Sequence, residues 1–201
     1  MEMDEFMVKI CGITNLGDAL ASVGYGANAL GFNFYRPSTR YVDPQTVENI
    51  LQDIPENILN VAVVVVSSSN VSQTIEDIGR IVPSIDAFQL HGLKSESEVP
   101  STDKLLYIAT SPAESKAFAN YRILIDTSWG RGQKANWDQL LYLKRAFVLS
   151  GGLDPDNVTD AIQLLQPDGV DVCSGVEKLP GVKDGKKLRK FIEGARHASQ
   201  A

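Results

Sequence analysis

The sequence predicts an α/β protein, a single (βα)8 (TIM) barrel of eight parallel strands spanning residues 1–201, and three observations predict it. Eight short β-branched or apolar runs alternate with longer amphipathic, polar-rich segments, the pattern of repeated βα units around a parallel sheet. A chain of 201 residues with 43% hydrophobic content can bury one sizeable core. Eight units in that length leave roughly 25 residues each, so a closed barrel with short loops is more economical than an open sheet. No glycine-rich dinucleotide fingerprint follows the first run to support an open doubly wound sheet.

The expected strands, in order, are MVKIC (7–11), ALGFNF (29–34), LNVAVVVV (59–66), IDAFQL (85–90), KLLYIA (104–109), RILID (122–126), AFVLS (146–150) and GVDVC (169–173). Between them, helical patterns cover about 15–23, 44–53, 71–81, 112–119, 137–142, 155–165 and 184–196. After His91 the stretch LKSESEVPSTD reads as loop with at most a short helix. No linker, low-complexity tract or composition break divides the chain.

Composition excludes several classes of function. Lys+Arg 19 against Asp+Glu 25 gives a net charge of −6, and the dense cationic run from Lys183 to Lys190 is interrupted by Asp184 on the expected last helix, so nucleic acid is not an expected partner. Cys11 and Cys173 show none of the paired spacings that bind zinc or build a disulfide framework, which fits a reducing cytosol. No stretch approaches the ~20 apolar residues that cross a bilayer, and the acidic start MEMDEF lacks a basic leader region. The expectation is a soluble cytoplasmic protein with no membrane partner.

In a parallel barrel the strand C-termini and the loops after them form the catalytic face, so polar residues ending apolar runs are the candidates. They are Lys9-Ile10-Cys11-Gly12, Asn33 with Arg36 and Arg40 beyond it, Gln89-Leu90-His91-Gly92, Asp126, Ser150-Gly151-Gly152 and Asp171-Val172-Cys173-Ser174-Gly175. Strand side chains alternate with period two, so Lys9 and Cys11 share one face, as do Gln89 and His91, and Asp171 and Cys173. Their apolar neighbours belong to the helix layer and the polar set to the lumen. Closure pairs the last strand with the first and predicts an ion pair between Lys9 and Asp171 just below Cys11, because a lysine inside a filled barrel needs a counter-ion. Ser150-Gly151-Gly152 leading into a helix, together with Ser174-Gly175, offers the backbone N–H groups that bind a phosphate dianion; one such loop alone could equally be a tight turn.

VKICGIT (8–14), FYRPSTRYV (34–42), QLHG (89–92), LIDTSWGRG (124–132), SGGLDPDNV (150–158) and GVDVCSGVEKLPGVKD (169–184) together resemble, in order and nearly end to end, the motifs of the phosphoribosylanthranilate isomerase family. The resemblance implies a cytoplasmic enzyme of tryptophan biosynthesis, monomer or homodimer, that performs an Amadori rearrangement of N-(5-phosphoribosyl)anthranilate without metal or cofactor. It implies Cys11 as general base, Asp126 as general acid, and Arg40 as the group that holds the anthranilate carboxylate. Gln89 and His91 become candidate substrate contacts, Gly151, Gly152, Ser174 and Gly175 the phosphate site, and Lys9 and Asp171 its support.

Residue chemistry suits those roles. Ring opening needs an acid at the furanose oxygen, and the next step needs a base at C2 of the ribose. An aspartate must have its pKa raised to act as the acid, and a cysteine must be drawn towards thiolate, for which an inward lysine two residues earlier is a means. Each candidate has a plainer reading beside the functional one. Cys11 could be a small buried hydrophobe, Asp126 a cap, and His91 a hydrogen-bonding closure of the barrel mouth. Cys173, where many family members have serine, reads as an inward packing residue, Arg36 as a solvated loop charge, and Tyr35, Trp129 and Trp137 as packing aromatics. The chain departs from the family at Ser38-Thr39-Arg40, where Ser-Pro-Arg is usual, and at Gly130-Arg131-Gly132-Gln133, where a Gly-Gly-Thr-Gly segment is common. The competing functions are the histidine-pathway ribotide isomerase, which resembles two related half-barrels and uses two aspartates, and a phosphosugar-binding barrel without catalysis.

Overall fold

The computed structural model describes residues 5–126 and 137–200. Eight parallel strands, β1 (Met7–Cys11), β2 (Ala29–Asn33), β3 (Leu59–Val65), β4 (Ala87–His91), β5 (Leu105–Thr110), β6 (Arg122–Asp126), β7 (Val148–Ser150) and β8 (Gly169–Val172), pair in sequence order, and β8 returns to β1 to close the barrel. The register of closure sets Lys9 opposite Asp171 and Ile10 opposite Val172.

Alternation along the strands separates two cores. Inside the barrel, Met7, Ala29, Leu59, Val61, Ala87, Tyr107, Ala109, Leu124 and Val148 pack together. Outside it, the intervening residues, among them Ile10, Leu90 and Val172, pack against the helices. The apolar neighbours of the polar strand-end residues therefore lie in the helix layer, as alternation requires.

Five α-helices complete the units after β1, β2, β3, β7 and β8: α1 (Leu16–Gly24), α2 (Pro44–Leu51), α3 (Val71–Ile81), α4 (Val158–Leu165) and α5 (Gly185–Ala198). Their starts follow local chemistry. Asn15 accepts a hydrogen bond from the Asp18 amide, Asp43 caps α2 with proline at its first position, and Asp184 accepts from the amides of Lys186 and Lys187. Helix α4 begins later than the pattern at 155–165 suggests. The Asp154 side chain accepts from the Asp156 amide, and Asn157 accepts from the Asp154 amide, so 154–157 forms a side-chain-bonded turn before the helix.

Among the described residues, the other three crossovers carry single 3-10 turns, Glu96–Glu98, Ser115–Phe118 and Trp137–Gln139. The helices expected over 112–119 and 137–142 are thus corrected to 3-10 turns. The second segment is too short to repay helix nucleation, and at the first the Arg145 guanidinium donates to the carbonyls of Ser115, Phe118 and Tyr121, which a longer helix would need. One element has no counterpart in the sequence reading. After β8 the chain forms a small antiparallel hairpin, β9 (Glu177–Leu179) and β10 (Val182–Lys183), turned at Pro180-Gly181 with Gly181 at φ 79°. Proline followed by a left-handed glycine is the demand of a type II turn, and that dipeptide was its legible signal.

Candidate active site

The floor of the site is the seam where the barrel closes. Lys9 Nζ donates to Asp171 Oδ1 at 2.7 Å, both side chains are buried, and Ser150 Oγ donates to Asp171 Oδ2 at 3.0 Å. The ion pair that alternation and closure predict is present. Burial alone would pull the Lys9 pKa down, but the Asp171 charge and hydrogen bond outweigh it and hold the ammonium firmly protonated. Gly31 on β2 makes room for this arrangement: a Cβ there would lie 2.9 Å from Lys9 Nζ and 3.1 Å from Cys11 Sγ. A glycine inside a predicted strand signals such a close approach.

Cys11 stands above the pair at the end of β1, buried and with a free thiol. Its pKa is lowered from 9.0 to about 7. The largest cause is the neighbouring Cys173 side chain, and the positive charges of Lys9 and Lys183 add to it against the opposing effects of burial and Asp171. Cys173, whose thiol donates to Glu177 Oε1 at 3.7 Å, is pushed well above its ordinary value by Cys11 and by burial. The two thiols thus divide the work, one poised near neutrality and the other held protonated. Cys173, read from sequence as a packing residue, is a neighbour of the candidate base that bonds Glu177.

Arg40 reaches the site from the loop after β2. Ser38 Oγ accepts from the Arg40 amide at 3.1 Å and from Asn33 Nδ2 at 3.2 Å, so the loop is tied down without the usual proline at Thr39. The guanidinium grips Glu177 in a fork, with Nε to Oε1 at 2.9 Å and Nη2 to Oε2 at 2.7 Å. Glu177 also accepts from Lys183 Nζ at 3.2 Å and from the Gly181 amide at 3.2 Å. Lys183, itself buried, donates to the Cys11 carbonyl at 2.5 Å and to the Cys173 carbonyl at 3.4 Å. Burial pushes the Glu177 carboxyl up, but Arg40 and Lys183 together bring it below its usual range. Neither Glu177 nor Lys183 emerged as a site residue from sequence, although both lie in the motif GVEKLPGVKD, because the hairpin that folds them back over β1 was not foreseen. Arg36 lies over the Tyr41 ring, 5.7 Å from its centre.

Across the mouth, Gln89 Nε2 and His91 Nε2 are 2.8 Å apart. Burial lowers the His91 pKa, which favours the neutral ring. Gln89 Oε1 is buried without a hydrogen-bond partner among the described residues. Asp126 ends β6, half-buried, paired in register with Ser150 and close enough for its charge to act on His91. Thr127 to Gln133, including Trp129 and the Gly130–Gln133 departure, lie outside the described residues. Trp137 packs partly buried against the outer core, and Tyr35 is exposed, so neither walls the lumen.

The two glycine loops meet beside this mouth. Gly151 and Gly152 adopt φ 86° and 70°, conformations that L side chains rarely take, and Asn157 Nδ2 fastens the Gly152 carbonyl at 2.9 Å. Gly175 lies so close to the other loop that a Cβ on it would fall 1.9 Å from the Leu153 carbonyl oxygen. The backbone of both loops is brought together just ahead of α4, as a phosphate site after strands 7 and 8 requires.

Fold and site together define a (βα)8 barrel of the enzyme type, with buried polar and charged side chains gathered at the C-terminal mouth of its strands. The family model for N-(5'-phosphoribosyl)anthranilate (PRA) isomerase matches residues 8–194. An N-(5'-phosphoribosyl)anthranilate isomerase of Thermotoga maritima is 39% identical over 204 residues, covering 94% of this chain and 98% of the relative. The solved phosphoribosylanthranilate isomerase of Thermotoga maritima superposes with a TM-score of 0.83 at 36% identity, over 95% of this chain and 98% of the other. A solved complex of such an isomerase with reduced 1-(o-carboxyphenylamino)-1-deoxyribulose 5-phosphate gives a TM-score of 0.82 at the same identity and coverage. The chain belongs to the phosphoribosylanthranilate isomerase family.

Proposed function

We propose that residues 1–201 act as one catalytic domain that isomerises N-(5'-phosphoribosyl)anthranilate to 1-(2-carboxyphenylamino)-1-deoxyribulose 5-phosphate, with Cys11 as general base and Asp126 as general acid. The observation that carries this reading is a buried thiol at the end of β1, set above the Lys9–Asp171 pair, in the same mouth as a carboxylate at the end of β6. The Cys173 side chain and the positive charges of Lys9 and Lys183 draw the thiol pKa down to about 7. A base is most effective when its pKa lies near the working pH.

The reaction is an isomerisation, so every proton removed must be returned. Asp126 protonates the furanose oxygen as the C1–O bond breaks, and the nitrogen lone pair forms the C=N bond of a protonated imine. The Cys11 thiolate takes the proton from C2, and the electron pair of that C–H bond forms a C1–C2 double bond while nitrogen regains its lone pair. Return of a proton to C1 and loss of the C2 hydroxyl proton give the ketone. The bound carboxylate answers to Arg40, and the phosphate to the backbone of Gly151, Gly152, Ser174 and Gly175. In this reading Gln89 and the neutral His91 ring line the mouth opposite Cys11.

A cytoplasmic location accompanies the assignment; the free state of both thiols supports it, and no described helix is long and apolar enough to cross a membrane. The test is turnover of enzymatically generated phosphoribosylanthranilate, run beside the histidine-pathway ribotide. Turnover of the first is the expected result. Turnover of the ribotide alone would replace the assignment with that of a related isomerase, and turnover of neither would leave a binding barrel.

A further inference from the structure

We infer that Glu177 and Lys183, on the hairpin that follows β8, are positioning residues for the rearrangement: Glu177 fixes the guanidinium of Arg40 with one edge turned to the substrate carboxylate, and Lys183 pins the strand end that carries Cys11. The inference rests on the isomerase reading above and gives a task to a segment that reading leaves idle.

The first half follows from the donor geometry of arginine. A guanidinium presents five N–H bonds, and the Glu177 fork occupies Nε and one hydrogen of Nη2. Both hydrogens of Nη1 and the second of Nη2 remain on the far edge, and that edge can hold a second carboxylate in another two-pronged grip. Without Glu177 the side chain would rotate about its long stem. The Glu177 carboxylate is in turn fixed by Lys183 Nζ and by the Gly181 amide, each at 3.2 Å, so the platform is rigid before substrate arrives. The Gly181 carbonyl accepts from Thr14 Oγ1 at 2.5 Å, and the Lys183 amide donates to Asp18 Oδ2 at 2.9 Å, so the hairpin is bonded at both ends to the loop and helix that follow β1.

The second half follows from where Lys183 points. Its buried ammonium bonds the carbonyls of Cys11 and Cys173, the two strand ends that must hold their thiols together. The charges facing Cys11 are Lys9 on its own strand, Asp171 with the Cys173 thiol from β8, Lys183 from β10, Glu177 from β9 and Arg40 from the loop after β2. Among the described residues on the Cys11 side of the mouth, apart from Asp126, three cations face two carboxylates. The excess positive charge is matched by one anion, either the Cys11 thiolate or the substrate carboxylate, and removing Lys183 cancels that excess.

The experiment compares wild type with Glu177→Gln, Lys183→Met, Lys183→Arg and the double variant Glu177→Gln/Lys183→Met, each checked for a cooperative thermal transition. The double variant removes one charge of each sign, so it leaves no new unpaired charge between these two positions and remains informative where Lys183→Met alone does not fold. Two quantities are read: the pH dependence of iodoacetamide alkylation on the Cys11 peptide, with no substrate present, and KM apart from kcat for phosphoribosylanthranilate. Lys183→Met should move the alkylation midpoint up by about one pH unit, with Lys183→Arg restoring most of it. Glu177→Gln should raise KM about tenfold with a smaller fall in kcat, as loss of a substrate-orienting contact does. The double variant should show the KM effect whether or not the single variants fold. Folded variants with an unchanged midpoint and unchanged KM would overturn the inference while leaving an active wild type, and with it the isomerase reading, untouched. An inactive wild type would defeat that reading and the KM half of this one, whereas the alkylation half would still be decided by its own midpoint.

Discussion

The two ends of the barrel lumen are built from the same strands and differ in almost everything else. Towards the N-terminal end the inward positions are apolar, with Met7, Leu59, Val148 and their neighbours filling the space as a packed core. Two residues further along the same strands stand Lys9, Ser150 and Asp171, and beyond them Cys11 and Cys173. A single strand therefore changes from packing to chemistry within one alternation period. The change is made tolerable by closure of the barrel, which sets the buried ammonium against a buried carboxylate at 2.7 Å. The lower layer bears on stability, whereas the upper layer, in the proposed mechanism, bears on both stability and catalysis.

The largest effects should come from the upper layer. Cys11→Ala and Asp126→Ala should each lower kcat by at least ~100-fold with the thermal transition preserved, since that is the low end for loss of a general acid or base. Near-normal turnover by either variant, measured at saturating substrate, would remove that residue from the mechanism.

Asp171→Asn should cost about 3–5 kcal/mol of stability, because it strands Lys9 in the lumen without its counter-ion, and activity should fall with it. Denaturant titration beside steady-state kinetics checks both. A variant that keeps full stability would show that the seam tolerates an unpaired charge, and the contrast between the two layers would lose its basis.

Leu59→Ala, in the lower layer, should cost about 2–5 kcal/mol with kcat unchanged under conditions where the protein stays folded. A specific loss of kcat there would join the two ends that the comparison separates. A smaller effect is expected at the rim. Gly175→Ala places a Cβ against the Leu153 carbonyl, so the loops must part, and KM should rise about tenfold, some 1.4 kcal/mol of phosphate binding, with little change in kcat. Equilibrium competition by inorganic phosphate reads the same change without turnover.

Sequence reached different depths in different parts of the molecule. The strands were legible because each is a short apolar run, and inward polar residues could be assigned by counting two positions at a time. The Lys9–Asp171 pair followed from closure alone. Helices were legible where a cap and an apolar face coincide, at Asn15, Asp43 and Asp184, and misread at 112–119 and 137–142, where tertiary hydrogen bonds from Arg145 at the first and brevity at the second leave a 3-10 turn. The Arg40–Glu177–Lys183 cluster was out of reach because its members, 137 and 6 residues apart, meet only after β9 and β10 fold back. No periodicity within either segment reports that meeting. The hydrogen bond from Cys173 to Glu177 was hidden for a related reason: alternation places Cys173 inside but does not say that the hairpin brings Glu177 to it.

The central claim is that the upper layer holds Cys11 as a working thiolate near neutral pH, and the pH dependence of kcat/KM tests it most directly. The thiol pKa is lowered to about 7, so the basic form is the minority at pH 6 and the majority at pH 8. The profile should show an ionisation near pH 7 within the bell that an acid–base pair gives, and prior alkylation of Cys11 should abolish activity. A profile flat from pH 6 to pH 8.5, or activity that survives complete alkylation of Cys11, would contradict the account.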